Sequence, residues 1–149
     1  MGAQRRARGG RVSAVPERPP ALDAERVQNF VIAAHGDLNA VRDGLTAEPA
    51  LANACWDWGG GDFESALGGA AHMGRRDIAL ALLEHGARMD VFAAAMLGET
   101  EIVQTMLAAH PELAEATGPH GIPLMAHAKA GGEEARAVVE LLEAEPAGA

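Results

Sequence analysis

The chain has 149 residues, 48% of them hydrophobic but only 3% aromatic, and a formal net charge of −9. That length suits one domain rather than two, and a core without Tyr must be built from Ala, Leu, Val and Met, which favours stacked helices over a sheet sandwich. The charge is uneven: residues 1–24 carry five Arg against Glu17 and Asp23, which leaves +3 there and −12 on the rest. An acidic body argues against nucleic acid as a partner, because binding to phosphate backbones needs clustered Lys and Arg.

Cys55 stands alone, so neither an intramolecular disulfide nor a Cys-pair metal site is available, which suits a reducing cytoplasm. No run approaches the roughly 18 apolar residues of a membrane span, and the start lacks the apolar stretch of a secretory signal. Arg6 stands where a myristoylation motif needs Ser or Thr. No membrane contact is expected.

Residues 1–22 read as a disordered basic tail, with Pro16, Pro19 and Pro20 breaking any regular pattern. From Asp23, a good N-cap, the chain turns periodic. Val27, Phe30, Val31 and Ala34 form one apolar stripe, Gly36-Asp37 interrupts it, and Leu38, Val41 and Leu45 form a second. The same sentence recurs three times. Ala70-Ala71-His72-Met73-Gly74 precedes Ile78, Leu82 and Leu83. Ala94-Ala95-Met96-Leu97-Gly98 precedes Ile102, Val103, Met106 and Leu107. His127-Ala128-Lys129-Ala130-Gly131 precedes Val138, Val139, Leu141 and Leu142. Each unit is a short Ala-rich helix, a glycine turn and a more apolar helix.

Gly98 and Gly131 lie 33 residues apart, whereas Gly36 to Gly74 is 38 and Gly74 to Gly98 is 24. The helical halves persist throughout, so the length changes fall in the connecting hairpins. One is enlarged over Ala54–Phe63, and the next is trimmed between Asp90 and Phe92.

Over Asp23–Glu145 this pattern resembles the ankyrin-repeat family, particularly small single-domain bacterial members. The best unit, Ala70–Asp90, follows the family run Ala-Ala-x-x-Gly-His-x-x-x-Val-x-x-Leu-Leu-x-x-Gly-Ala almost position for position. The Thr-Pro-Leu-His opening survives only in pieces, as in Ile122-Pro123-Leu124-Met125. The tetratricopeptide repeat fits less well, since its bulky aromatics are missing. The resemblance implies an all-α solenoid of about four helix–turn–helix units over residues 23–149, and a protein-interaction module that grips a protein partner in a concave groove. At least about three units are needed before such a stack buries its core.

The unusual inventory lies in the enlarged hairpin: Trp56, Asp57, Trp58, three glycines, Asp62, Phe63 and Glu64. Indole faces and pliant glycines suit a binding loop, or else a minicore plugging a long turn. Gly59-Gly60-Gly61 is not a phosphate cradle, because no Lys-Ser or Lys-Thr follows. His72, Met73, Met96, Leu97 and Lys129 occupy positions expected to face the groove, and with Trp56, Trp58 and Phe63 they form the expected binding surface.

An alternative is a small acid–base enzyme of lyase, hydratase or isomerase type, or a small-molecule binder. Asp57, Asp62, Glu64, His72 and His120 would then be its catalytic set, and it would need no cofactor. His127 sits where this helix usually has Ala and is expected to lock a local hydrogen-bond network. His35 and His110 read as helix-end caps, and His85 as a surface residue. No two histidines share a helix face at ligand spacing, so no metal site is expected; one would have to assemble from separate repeats.

Overall fold

A computed structural model describes residues 16–144. The readings made for residues 1–15 and 145–149 lie outside the described residues. Pro16–Leu22 has no regular secondary structure, although Leu22 already packs against the core.

Among the described residues the chain is mainly α-helical, with eight α-helices in four successive pairs: α1 (Ala24–Ala33) and α2 (Leu38–Ala47), α3 (Ala66–His72) and α4 (Arg76–Glu84), α5 (Val91–Leu97) and α6 (Thr100–Ala109), α7 (Leu124–Ala130) and α8 (Arg136–Ala144). The starts of four helices are fixed by short polar side chains that accept an otherwise orphaned N–H. Asp23 caps Arg26, Asp37 caps Ala40, Ser65 caps Gly68 and Asp90 caps Ala93, all at 2.8–2.9 Å. Among the described residues no helix is long and apolar enough to cross a membrane.

The first helices of the pairs make the stack. Ala66, Ala70 and Ala71 on α3, Ala93, Ala94 and Ala95 on α5 and Ala128 on α7 are fully buried. Without longer side chains between them, α5 closes on both α3 and α7. The second helices contribute the larger plugs, Val41, Leu45, Ile78, Leu82, Val103, Leu107, Val138 and Leu142, in two contiguous clusters that meet across α5.

Two glycine turns are compelled by backbone geometry. Gly74 and Gly98 have φ of +67° and +75°, in the left-handed region that L-residues avoid. A Cβ at Gly74 would strike the Ala130 carbonyl of the distant α7, and one at Gly98 would strike the Glu134 carbonyl. These turns are therefore contact points between pairs.

The connections differ as their lengths require. The enlarged one is a two-stranded antiparallel hairpin, β1 (Cys55–Asp57) with β2 (Phe63–Ser65), Trp56 facing Glu64 in register. The trimmed one runs from Ala87 straight into the Asp90 cap of α5. The last is a narrow loop closed by an antiparallel bridge between Thr117 and Pro123.

The groove expectation needs one correction. Met96 and Leu97 are 1% and 4% exposed, because α5 is covered on both sides. They belong to the core and cannot meet a partner. Met73 and Lys129 do reach solvent.

Gly74→Ala should destabilise the fold by more than the roughly 1 kcal/mol of a left-handed alanine, since it also wedges α3 from α7. Urea titration of the two proteins checks this; equal midpoints would mean that the turn is not a packing contact.

Candidate functional site

Glu64 lies on β2 with its side chain turned inward, as strand alternation dictates between the exposed Phe63 and the half-buried Ser65. It is 0% exposed. A carboxylate taken out of water must find donors or lose its charge. The Trp58 indole N–H donates to Glu64 Oε2 at 2.7 Å, and His72 Nε2 lies 2.8 Å from Oε1. His35 Nε2 and His120 Nε2 stand 3.3 and 3.4 Å from Oε2. His35 and His72 are also 3.2 Å apart through their Nε2 atoms, with their rings edge to face. One ligand-type atom from each of His35, Glu64, His72 and His120 thus falls within 4.8 Å of every other.

Four separate parts of the chain deliver these groups. His35 follows the end of α1, where its Nδ1–H donates to the Val31 carbonyl at 2.9 Å. Its ring lies over α3, and a Cβ on Gly69 would sit 2.9 Å from His35 Cε1. A glycine inside a helix costs about 1 kcal/mol relative to alanine; here it makes room for an imidazole. His72 closes α3. His120 is carried by the 118–121 loop with φ +60°, an uncommon backbone state for a side-chain-bearing residue. Asp62 holds it there, accepting the His120 backbone N–H on Oδ1 and its Nδ1–H on Oδ2, both at 2.8 Å. These bonds, the backbone one foremost, pull the Asp62 carboxyl below its usual range.

The trimmed hairpin explains that meeting. Asp62 belongs to the second pair's connection and His120 to the fourth's. The third pair contributes only a direct entry into α5, so nothing stands between them. Trp58, tilted beside His120 at 6.1 Å between ring centroids, closes one flank.

Hydrogen-bond roles sharpen the electrostatics. A carbonyl and a carboxylate cannot donate, so His35 and His120 carry their proton on Nδ1 and present a bare Nε2 when neutral. Both bare nitrogens face a carboxylate oxygen. A single proton on His72 Nε2 serves Oε1. The His72 imidazole is held below the ordinary histidine range, burial outweighing the pull of Glu64.

Of the residues expected to act together, the structure gathers Asp62, Glu64, His72 and His120. Asp57 is excluded: its Oδ1 accepts the Gly59 and Gly61 N–H groups at 2.9 and 3.0 Å, so it builds its own turn. Trp56 packs half-buried against the core, whereas Phe63 is 63% exposed. The argument against a metal site, that no two histidines share a helix face, fails here because the ligand-type atoms come from four parts of the chain. His35 escaped attention because its capping role, which it does perform, sufficed to explain it. The repeat register could have found it: with Gly36 aligned on Gly74, residue 35 falls one position from His72.

His127 is fully buried behind Phe92 and Gly118. Its Nδ1–H donates to the Pro123 carbonyl at 2.9 Å, but its Nε2 has no partner among the described residues. The expected network is therefore half made, and burial pushes the His127 pKa down from the ordinary 6.5.

Compared with family models, with curated proteins and with solved structures, the chain matches none.

A histidine whose folded-state pKa is depressed takes up protons more readily when unfolded. The stability held by neutral His127 and His72 should therefore be present above the ordinary value of 6.5 and decline as pH falls below it. Urea melts at about pH 7.5 and about pH 5.5 should show this loss, and His127→Gln should shrink it.

Proposed function

We propose that the chain is an ankyrin-type helical stack that carries a histidine–glutamate centre for acid–base chemistry on a small molecule. Burial of Glu64 among three imidazoles and an indole N–H carries this reading. Removing a carboxylate from water costs several kcal/mol, whereas a buried leucine at the same place would contribute roughly 1.5–3 kcal/mol. Stability alone does not account for the choice.

Within the centre His72 is the proton-transfer group. Glu64 takes the proton side of its ring at Nε2, which leaves Nδ1 as the basic nitrogen. That atom has no protein partner among the described hydrogen bonds and is not among the buried orphaned atoms, so it meets solvent. A depressed pKa, caused chiefly by burial, favours the neutral ring that a general base needs. Glu64 orients it, in the way a carboxylate fixes the tautomer of a catalytic imidazole.

A second reading, docking of a protein partner, is favoured by the exposure of Phe63 and Met73, at 63% and 53%. It has lost Met96 and Leu97 from its surface.

Hydrolysis of 4-nitrophenyl acetate in excess chelator probes the basic imidazole without a known substrate. His72→Gln should lower the rate at least about tenfold, general acid–base groups contributing ~10²–10⁴-fold, while Phe63→Ala and Met73→Ala keep it. Equal rates in wild type and His72→Gln would remove the acid–base reading. A host protein retained by wild type but not by Phe63→Ala or Met73→Ala would establish the docking one.

A further inference from the structure

We propose that His35, Glu64, His72 and His120 bind one divalent transition-metal ion of the zinc type. This concerns the same centre but does not rest on the acid–base reading, and a chain that binds no metal leaves that reading untouched.

The donor set comes first. Three imidazole nitrogens and one carboxylate oxygen match borderline ions such as Zn²⁺, whereas Mg²⁺ and Ca²⁺ take oxygen. The spacing agrees. Tetrahedral ligands at about 2.0–2.1 Å from an ion stand roughly 3.3 Å from each other. Here His35 and His72 are 3.2 Å apart through Nε2, Glu64 Oε2 lies 3.3 Å from His35 and 3.4 Å from His120, and Glu64 Oε1 lies 2.8 Å from His72. The widest separation is 4.8 Å, so an ion at the centre requires the side chains to draw together by about an ångström or less.

The outer contacts point the same way. Metal-binding histidines almost always donate their other N–H to a carbonyl or carboxylate, which fixes the tautomer and aims the free nitrogen at the ion. His35 does so to Val31 and His120 to Asp62. The Trp58 N–H donates to Glu64 Oε2, which also faces His35 and His120, and so fixes the carboxylate with Oε1 towards His72. When both rings are neutral and no cation is present, two bare nitrogens face a carboxylate oxygen across 3.3 and 3.4 Å, a repulsive arrangement that a positive charge between them turns attractive. Binding displaces the proton of His72 from Nε2, and its ring then carries the proton on Nδ1.

Glu64 is fully buried, and the side chains of His72, His35 and His120 are 11%, 26% and 36% exposed. The ion would therefore sit on a closed floor with access from the side of His35 and His120, where a further ligand can enter.

The test uses the untagged full chain, stripped with chelator and titrated with Zn²⁺ alone by calorimetry and thermal melting. One ion per chain should bind, with a raised melting temperature. His35→Gln, His120→Gln and Glu64→Gln should each weaken binding at least about tenfold. Asp62→Asn, which removes no ligand, should weaken it by about 10–100-fold, as loss of such an outer partner does. Cobalt(II) should give visible bands that His120→Gln abolishes. Circular dichroism confirms that the variants are folded, and because His120 is exposed on a loop its variant keeps the test valid should Glu64→Gln unfold. Binding lost in a variant carrying both His85→Gln and His110→Gln, or unchanged in His35→Gln and His120→Gln, would overturn the proposal. Zinc failing while hydrolysis in chelator depends on His72 leaves the acid–base centre alone; the reverse leaves the metal alone.

Discussion

The close approach of α3, α5 and α7 across alanine faces is the constraint on which the rest depends. Because many of their buried positions hold alanine or glycine, neighbouring pairs stack tightly enough for Gly74 to touch α7 and for Gly98 to touch the start of the last helical segment. Each first helix therefore delivers its C-terminal end to a defined place. The ends of α1 and α3 bring His35 and His72 side by side at 3.2 Å. Larger residues on these faces would part the pairs, and the two rings with them.

Much of this is legible in the sequence because repetition is a strong signal. The helix–glycine–helix sentence recurs, and its period, not any single propensity, fixes the pairs and locates the altered connections. Side-chain direction at the ends of those helices is harder to read. Met96 and Leu97 occupy positions matching His72 and Met73, yet they are buried where Met73 is exposed, although α3 and α5 each have a neighbouring first helix on both sides. Period assigns a residue to a position within the unit but does not fix how deeply that position is buried.

The centre was half legible for the same reason. Glu64, Asp62, His72 and His120 stand out by chemistry, since ordinary turns have no use for them. His35 does not, because one of its nitrogens does the commonplace work of donating to the Val31 carbonyl at the end of its helix. Imidazole has two distinct nitrogens, and a role found for one says nothing about the other. Gly69 is hidden likewise: its meaning is the ring lying over it, which comes from another pair.

Linear stacks of repeats ordinarily touch only their immediate neighbours, so their ends can fray without the middle. The bond between Asp62 and His120 joins connections two pairs apart, across 58 residues of sequence. It closes a span that a plain array leaves open, and it exists because one hairpin was shortened. Unfolding of the last pair must then break the second pair's loop as well, so the shortened hairpin makes the stack more nearly all-or-none in its melting. Amide exchange along the chain would register this as similar protection in pairs two and four, where a simple array would show a gradient falling towards its end.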